Sequence, residues 1–390
     1  MKGLRVLDLT RMLSGPYCTR ILGDFGAEVL KIQTARTALG AESNKSTYFR
    51  TWNRNKRGIC LNLDTPEAQE LFLKLAAESD IVVENYSPRI MANWDLRYER
   101  LSKVNDSLVM LSLSAMGQSG PWANFVGFAP TFHALSGLSS LSSLADSGYG
   151  WINIGHAYGD TVAGLYGALA VLAALIRRGE TGKGCHIDLS CYEALCTLAG
   201  PALMRKENTG TPDPVRSSFT LLGPFPDGCY PCSGDDDWCA ITIRSDEEWA
   251  RFCRITGDGE LAKKKFAARS ARHRNRVELD RRICAWTSNR TAESVERELQ
   301  QAGIAAHKVL NAHDLARDPQ LSARSFYTGI QHCIPGEWTF DRSAVWPYRC
   351  DHEAWHAAPA LGEANHDVFV KRLGITEDRF RDYIDRGIIG

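Results

Sequence analysis

The sequence predicts an α/β protein with two domains, a large one built on an open, doubly wound parallel sheet and a smaller α+β one. Three observations carry this expectation. Short apolar runs alternate with helix-like segments over roughly the first 200 residues, the pattern of successive βαβ units. A stretch rich in Pro, Gly, Thr and Asp then breaks the pattern, as linkers between domains do. The length of 390 residues also exceeds what a single core usually serves. The expected bounds are 1–206 with 314–390 for the large domain, 207–227 for the linker and 228–313 for the small domain.

The elements follow in order. Leu4 to Leu9 reads as a first strand, Thr10 to Gly15 as a loop, and Pro16 as the first position of a helix that Gly26 terminates. Glu28 to Ile32 and Gly58 to Leu63 are the next strands, and Thr65-Pro66-Glu67 opens a helix between the latter and Ile81 to Glu84. Leu108 to Ser114 follows as a further strand. No Gly-x-Gly-x-x-Gly follows the first strand, which argues against a nicotinamide or flavin enzyme.

Loops at the carboxyl ends of strands are where such a sheet meets its ligands. Here they are Arg11-Met12-Leu13, Asn85-Tyr86-Ser87-Pro88 and Ser114 to Pro121. The basic run Asn53 to Arg57 reads either as a solvated turn or as a phosphate clamp, Arg being suited to a bidentate grip.

From Val162 the chain runs without Pro or charge as far as Arg177, apolar on every face, which predicts a helix buried on all sides. Asp160 stands at its mouth. It is either a helix cap or a carboxylate placed for chemistry, where unpaired N–H groups and the helix dipole favour its ionised form. The turn Gly179 to Gly184 lacks the spacing of a phosphate-binding P-loop. A strand from Cys185 to Leu189 and a helix from Tyr192 to Lys206 complete this half. The small domain is expected to hold a strand from Trp238 to Ile243 and a helix from Ser245 to Ile255. The last helix spans Thr376 to Arg386.

Lys plus Arg equals Asp plus Glu at 46 each, so no global field draws in nucleic acid or an anionic membrane. The apolar run at 162–176, about 15 residues, falls short of a bilayer span, and the N-terminus enters a strand directly, so a cytoplasmic location is expected. The basic stretch Lys263 to Arg276 carries one aromatic, Phe266, and reads as a solvated helical face. Twelve cysteines are scattered; the pair Cys229/Cys232, with Cys239 nearby, lacks the four-ligand pattern of a zinc site, and no metal is expected.

Taken together, LRVLDLTRMLSGPYCTRILGDFGAEVLKIQ, NRNKRGICLNLDTPEAQELF, DIVVENYSP, SLSAMGQSGPW, the block from GDTVAGLYGAL to DLSCYEAL, WCAITIRSDEEWARFC and the tail from GIAAHKVLNAHDL to APALGEANHDVFVKRLGI resemble the family III CoA-transferases, also called the CaiB/BaiF family. The resemblance covers essentially the whole chain. It implies a Rossmann-like large domain completed by the C-terminal segment, a small domain inserted between, and an interlocked homodimer or a heterodimer with a related chain. It implies a coenzyme A thioester as substrate, with no tightly bound cofactor, and a carboxylic acid as acceptor.

On the same grounds Asp160 is the expected nucleophile, passing through an aspartyl anhydride and an aspartyl-CoA thioester. CoA contacts are expected at Met12, Leu13, Lys56, Arg57, Asn85, Tyr86 and Ser114, and at Asn93, which stands where the family often has Arg. Met116, Phe128 and His133 are expected to line the acyl pocket, made less polar by Met116 and the Leu135 to Leu144 stretch. The related α-methylacyl-CoA racemases move a proton with a His that Phe128 replaces here, leaving His133 and His156 as stand-ins. A partner subunit of a heteromeric transferase and a CoA-binding sensor are further alternatives.

Overall fold

The computed structural model describes residues 1–141, 157–200, 204, 223–331, 337–345 and 355–390. Contacts divide the chain into two compact units, Met1–Leu203 with Ser325–Gly390, and Met204–Arg324. Those divisions fall at 203/204 and 324/325, not at 206 and 314, because the short helices Ala312–Leu315 and Pro319–Ala323 go with the second unit. The expected linker lies mostly outside the described residues, as do His156 and residues 142–144.

The large unit is organised by a six-stranded sheet. Its strands are β1 (Arg5–Asp8), β2 (Glu28–Gln33), β3 (Lys56–Cys60), β4 (Ile81–Glu84), β5 (Val109–Ser114) and β6 (Cys185–Ser190), in the order β3-β2-β1-β4-β5-β6. Every pairing is parallel. This is the doubly wound order, whose chain reversal between β1 and β4 opens a crevice at the carboxyl ends of those strands. Side chains alternate across the sheet: Leu7, Leu9, Leu30 and Val82 enter one apolar core, Val6, Val29, Ile81 and Val83 the other.

Helix α1 (Ser14–Asp24) covers the second face. Pro16 is its third residue, not its first; the first-turn N–H groups have no intrahelical partner, so proline is tolerated there. Along the chain follow α2 (Thr47–Asn53), α3 (Pro66–Ala77), α4 (Arg89–Asn93), α5 (Tyr98–Val104), α6 (Ala129–Leu135), α7 (Leu138–Leu141), α8 (Tyr158–Thr181) and α9 (Cys191–Cys196). Helix α8 packs against α1 because its contact residues are small. A Cβ on Gly164 would lie 2.7 Å from the Ser14 carbonyl oxygen, and one on Gly167 would lie 3.2 Å from Cys18 Sγ. Gly182, in the left-handed region at φ 69°, ends the helix, as glycine does where a Cβ would be strained.

Two expectations about α8 need correction. The helix has 24 residues and is long and apolar enough to cross a membrane by length and composition, so length does not argue against a span. Nor is it buried on all sides: Ala163, Gly167 and Val171 face the sheet, while Leu165, Leu169 and Ile176 are 50, 64 and 70% exposed. The full apolar circumference reflects two different faces, one buried in this chain and one uncovered.

The C-terminal segment returns to the large unit and runs along the β3 edge. Ala364 N–H donates to Gly58 O at 2.9 Å, Cys60 N–H to Asn365 Oδ1 at 2.7 Å and Asn62 N–H to Ile388 O at 2.9 Å. Sheet edges left open invite foreign strands, and these bonds close this one. The fully buried Arg54 guanidinium reaches Asp24 and Asp341 and stacks 3.9 Å from the Trp355 ring.

The second unit is an α+β body, with β7 (Asp227–Pro231), β8 (Trp238–Thr242) and β9 (Ala305–Lys308) antiparallel in that order. Helices Asp246–Thr256, Arg276–Thr287 and Ala292–Gln301 supply Trp249, Phe252, Leu279, Ile283, Val295 and Leu299 to its core. Ser245 caps the first of them through the Glu248 N–H, as expected. Cys229 is exposed and Cys232 buried, and both are free thiols.

Candidate active site

Asp160 is the third residue of α8, and the cap position belongs to Ala157, which offers no side-chain acceptor. Asp160 is therefore not a cap. The Ser14 hydroxyl, at the start of α1, is the neighbouring polar group that favours the charged form of its carboxylate. Burial pushes the Asp160 carboxyl above its ordinary value, and the Ser14 hydroxyl only partly counters this. The expectation that the helix terminus would favour ionisation is thus outweighed by desolvation, which disfavours a charge. The field of Asp160 reaches Tyr48 on α2, whose hydroxyl is pushed up to about 12 by burial, by Asp160 and by Glu42. It also reaches Cys191, whose thiol is pushed up by burial and by the same carboxylate.

His133, on α6, is 1% exposed, and its Nε2 accepts the Gly159 N–H at 2.9 Å. Gly159 must be glycine for this approach, since a Cβ there would lie 2.8 Å from Leu195 Cδ1 and 3.1 Å from His133 Nε2.

The loop after β1 is clamped from two sides. Asn85 Oδ1 accepts the Arg11 N–H at 2.7 Å, and its Nδ2 donates to the Arg11 carbonyl at 2.8 Å. Glu42 Oε1 accepts the Met12 N–H at 2.9 Å. Between these bonds Met12 is held at φ 63°, a left-handed conformation that a non-glycine residue keeps only when its surroundings enforce it. Its side chain projects outward, 43% exposed, while that of Leu13 is buried.

Other expected contacts are placed differently. Lys56 is buried, and its Nζ donates to Asp8 Oδ2 at 2.9 Å, to Pro16 O at 3.0 Å and to Asn53 Oδ1 at 2.8 Å, so its donors are consumed inside the fold. Arg57 pairs with Glu28 at 2.9 Å and with Asp367 at 2.5 Å. The basic run is thus neither a solvated turn nor a free clamp. Asn85 spends its amide on the Arg11 backbone. Tyr86 packs edge-on against Trp94, ring centroids 5.3 Å apart, and Asn93 is exposed at the end of α4.

Ser114 is buried, and its Oγ has no hydrogen-bond partner among the described residues. Met116 belongs to the core beside Phe132, whereas Phe128 is 62% exposed at the start of α6. In the glycine-bearing loop after β5, Gly117 takes φ 88°, and the next N–H, that of Gln118, is donated to Asp188 Oδ1 at 2.9 Å.

Sequence reasoning missed Ser14, Glu42 and Tyr48. Ser14 borders the expected contact Leu13, so its position alone could have flagged it; Glu42 and Tyr48 carry no local signal. Among the described residues no three metal-ligating side chains lie together.

A family profile described as CoA-transferase family III matches residues 1–365. The chain belongs to CoA-transferase family III. This transferase is 31% identical to the succinyl-CoA–D-citramalate CoA-transferase of Chloroflexus aurantiacus, over 96% of its own length and 94% of that protein. It is 32% identical over its full length to a probable CoA-transferase of Mycobacterium tuberculosis, and it spans half the length of that relative. The crystal structure of a CaiB/BaiF family protein from Brucella suis superposes with a TM-score of 0.84 at 27% identity, covering 95% of the transferase and 98% of that chain. The chain is accordingly an enzyme of the CoA-transferase class with the CaiB/BaiF fold.

Proposed function

We propose that the chain moves CoA from an acyl-CoA donor to a carboxylic acid through covalent intermediates on Asp160. The observation that supports this most directly is the setting of that residue, a half-buried carboxylate in the first turn of α8 with the Ser14 hydroxyl as its neighbour. A carboxylate stripped of water is a stronger nucleophile, and splitting one acyl exchange into activated steps is what covalent catalysis provides.

In the first step an Asp160 oxygen attacks the thioester carbon and the C–S bond breaks, leaving an aspartyl anhydride and CoA thiolate. The thiolate then attacks Cγ of Asp160; the bond to the bridging oxygen breaks, and the donor leaves as a free carboxylate. The acceptor carboxylate next attacks the aspartyl thioester, expelling the thiolate, which adds to the acceptor's acyl carbon and returns Asp160 to its starting state. No external oxidant, reductant or proton is required. The clamped Thr10–Leu13 loop offers a rigid wall beside Ser14. In the loop after β5 the Gln118 N–H is already engaged, so oxyanion stabilisation falls to other backbone donors.

The Chloroflexus relative is named for succinyl-CoA, which makes succinyl-CoA the donor to use first, against a panel of carboxylic acids. The same reading includes a second copy of the chain, supported by the uncovered apolar stripe of α8, and a cytoplasmic location. The racemase alternative loses support because Phe128 cannot exchange a proton and His133 Nε2 is engaged by Gly159. Incubation with succinyl-CoA and then hydroxylamine should convert one carboxylate to a hydroxamate on the peptide bearing Asp160. Asp160→Ala should remove the label and lower turnover by about 1,000-fold or more. Turnover that survives the substitution, or deuterium entering the α-carbon of a 2-methylacyl-CoA, would refute this mechanism.

A further inference from the structure

We propose that His133 is a positioning residue for Asp160. It holds the first turn of α8 through the Gly159 N–H and thereby sets the direction of the attacking carboxylate. The inference rests on the reading of Asp160 as nucleophile and goes beyond it by naming what aims that group.

The argument starts from the bare end of α8. The first N–H groups of a helix have no intrahelical partner, and an N-cap side chain usually serves one of them. Here Ala157 occupies the cap and can serve none. The acceptor arrives instead from α6, 26 residues earlier in sequence, as His133 Nε2 at 2.9 Å from the Gly159 nitrogen. This bond is made by the residue immediately preceding Asp160.

An Nε2 that accepts from a backbone N–H carries no proton, so the imidazole is neutral with its hydrogen on Nδ1. The ring is held in place from several sides. It is 1% exposed, and its centroid lies 6.5 Å from that of Tyr158. Gly159 leaves open the space that a Cβ would take from both His133 and Leu195. Helix α6 is anchored at its own start, where Thr131 Oγ1 accepts the Phe128 N–H at 2.9 Å. Asp160 is thus held through His133 on the backbone just before it, with the Ser14 hydroxyl as the neighbouring group that favours its charge. A nucleophile must meet the thioester carbon in a narrow range of angle and distance, and small misplacements slow such reactions sharply.

A histidine that merely filled space would affect folding and not the acylation step. The test compares His133→Leu, which keeps bulk without an acceptor, with His133→Gln, whose amide oxygen can take the Gly159 N–H. Both full-length variants are measured for the single-turnover rate of hydroxamate labelling at Asp160 with succinyl-CoA, for CoA dissociation constant and for thermal midpoint.

His133→Leu is expected to slow labelling by about 10-fold or more while CoA binding stays within about two-fold. His133→Gln is expected to recover to within about three-fold of the parent rate. Labelling at the parent rate in His133→Leu, or equal impairment in both variants, overturns the proposal. A parent enzyme that labels at Asp160 while His133→Leu is unimpaired sinks the positioning role alone; a parent enzyme with no label at Asp160 sinks the nucleophile reading and this inference with it. Should His133→Leu fail to fold, ¹⁵N shifts of histidine-labelled parent enzyme decide: an unprotonated Nε2 on His133 supports the proposal, and a protonated one overturns it.

Discussion

Asp8 and Asp160 are both served from the chain that follows β1, but with very different company. Asp8, fully buried at the end of β1, accepts from the Thr10 and Thr19 hydroxyls at 2.6 and 2.7 Å, from Lys56 Nζ at 2.9 Å, and faces Lys31 Nζ at 3.5 Å. At Asp160 the Ser14 hydroxyl is the hydrogen-bonding group that favours its charge. Burial opposes ionisation at both sites. At Asp8 the two lysines and the hydroxyls overcome it and hold the carboxyl far below the usual carboxylate range; at Asp160 burial prevails and the carboxyl rises. With two ammonium groups on one carboxylate a positive charge is in surplus, and burial together with Lys31 pushes Lys56 down to about 8. A carboxylate saturated with partners is a structural part, whereas one left nearly bare keeps lone pairs for a substrate.

The comparison breaks most visibly under neutralisation of each carboxylate. Asp8→Asn strands two buried ammonium groups, and losing one member of a buried ionic cluster typically costs about 3–5 kcal/mol; the urea midpoint at pH 7 should fall accordingly. Because the folded Asp8 carboxyl lies below its unfolded value of 3.8, its contribution is complete above that pH and is lost as the pH falls through the folded value. The gap between parent and Asp8→Asn should therefore close in acid. Asp160→Asn should do the reverse at neutral pH, leaving the urea midpoint unchanged or higher, since a half-buried charge is removed, while abolishing the hydroxamate label. A large stability loss in Asp160→Asn would mean that its carboxylate is as structural as that of Asp8.

A smaller effect separates the partners of Asp160. Its carboxyl lies above the ordinary 3.8, so the acid limb of the labelling rate should lie above that pH. The Ser14 hydroxyl favours the charged form, and Ser14→Ala should move the limb further upward, with the rate restored once the pH exceeds it. A limb that stays in place would show that Ser14 does not control the charge of the nucleophile.

How much of this could be read beforehand follows from which interactions are local. The strands from β1 to β6 and the doubly wound class came from apolar runs a few residues long, and β4 lies at Ile81–Glu84 as expected. Strand β3 begins at Lys56, two residues before the expected Gly58, because its first residue is a lysine and apolar runs do not announce a buried ion pair. The partner that draws Lys56 inward is Asp8, 48 residues away, and only the parallel order of β1, β2 and β3 brings them together. In the candidate site Asp160 stood out as the acidic residue opening a long apolar segment, but that position fitted a cap as well, and only the chain-long resemblance made it the expected nucleophile. Glu42 and Tyr48 did not stand out, since each acts on the Met12 loop or on Asp160 through contacts that exist only once α2 and its preceding turn are packed. The uncovered face of α8 was hidden for the opposite reason: an all-apolar helix looks the same whether its own chain or something else covers it.

The smallest predicted effect concerns Arg57, which on charge alone looked like the natural phosphate ligand. Its guanidinium is divided between Glu28 and Asp367, tying β2, β3 and the C-terminal segment together, and these partly exposed pairs hold the arginine further into its charged form. Pairs open to solvent are screened and contribute little, so Arg57→Ala should lower the unfolding free energy from urea melts by no more than about 1 kcal/mol, and less at high salt. If the arginine is a clasp, the CoA dissociation constant should not change, because its guanidinium is already shared between two carboxylates. A several-fold loss of CoA affinity in Arg57→Ala, with stability intact, would instead place Arg57 on the ligand and show that its ion pairs open when CoA binds.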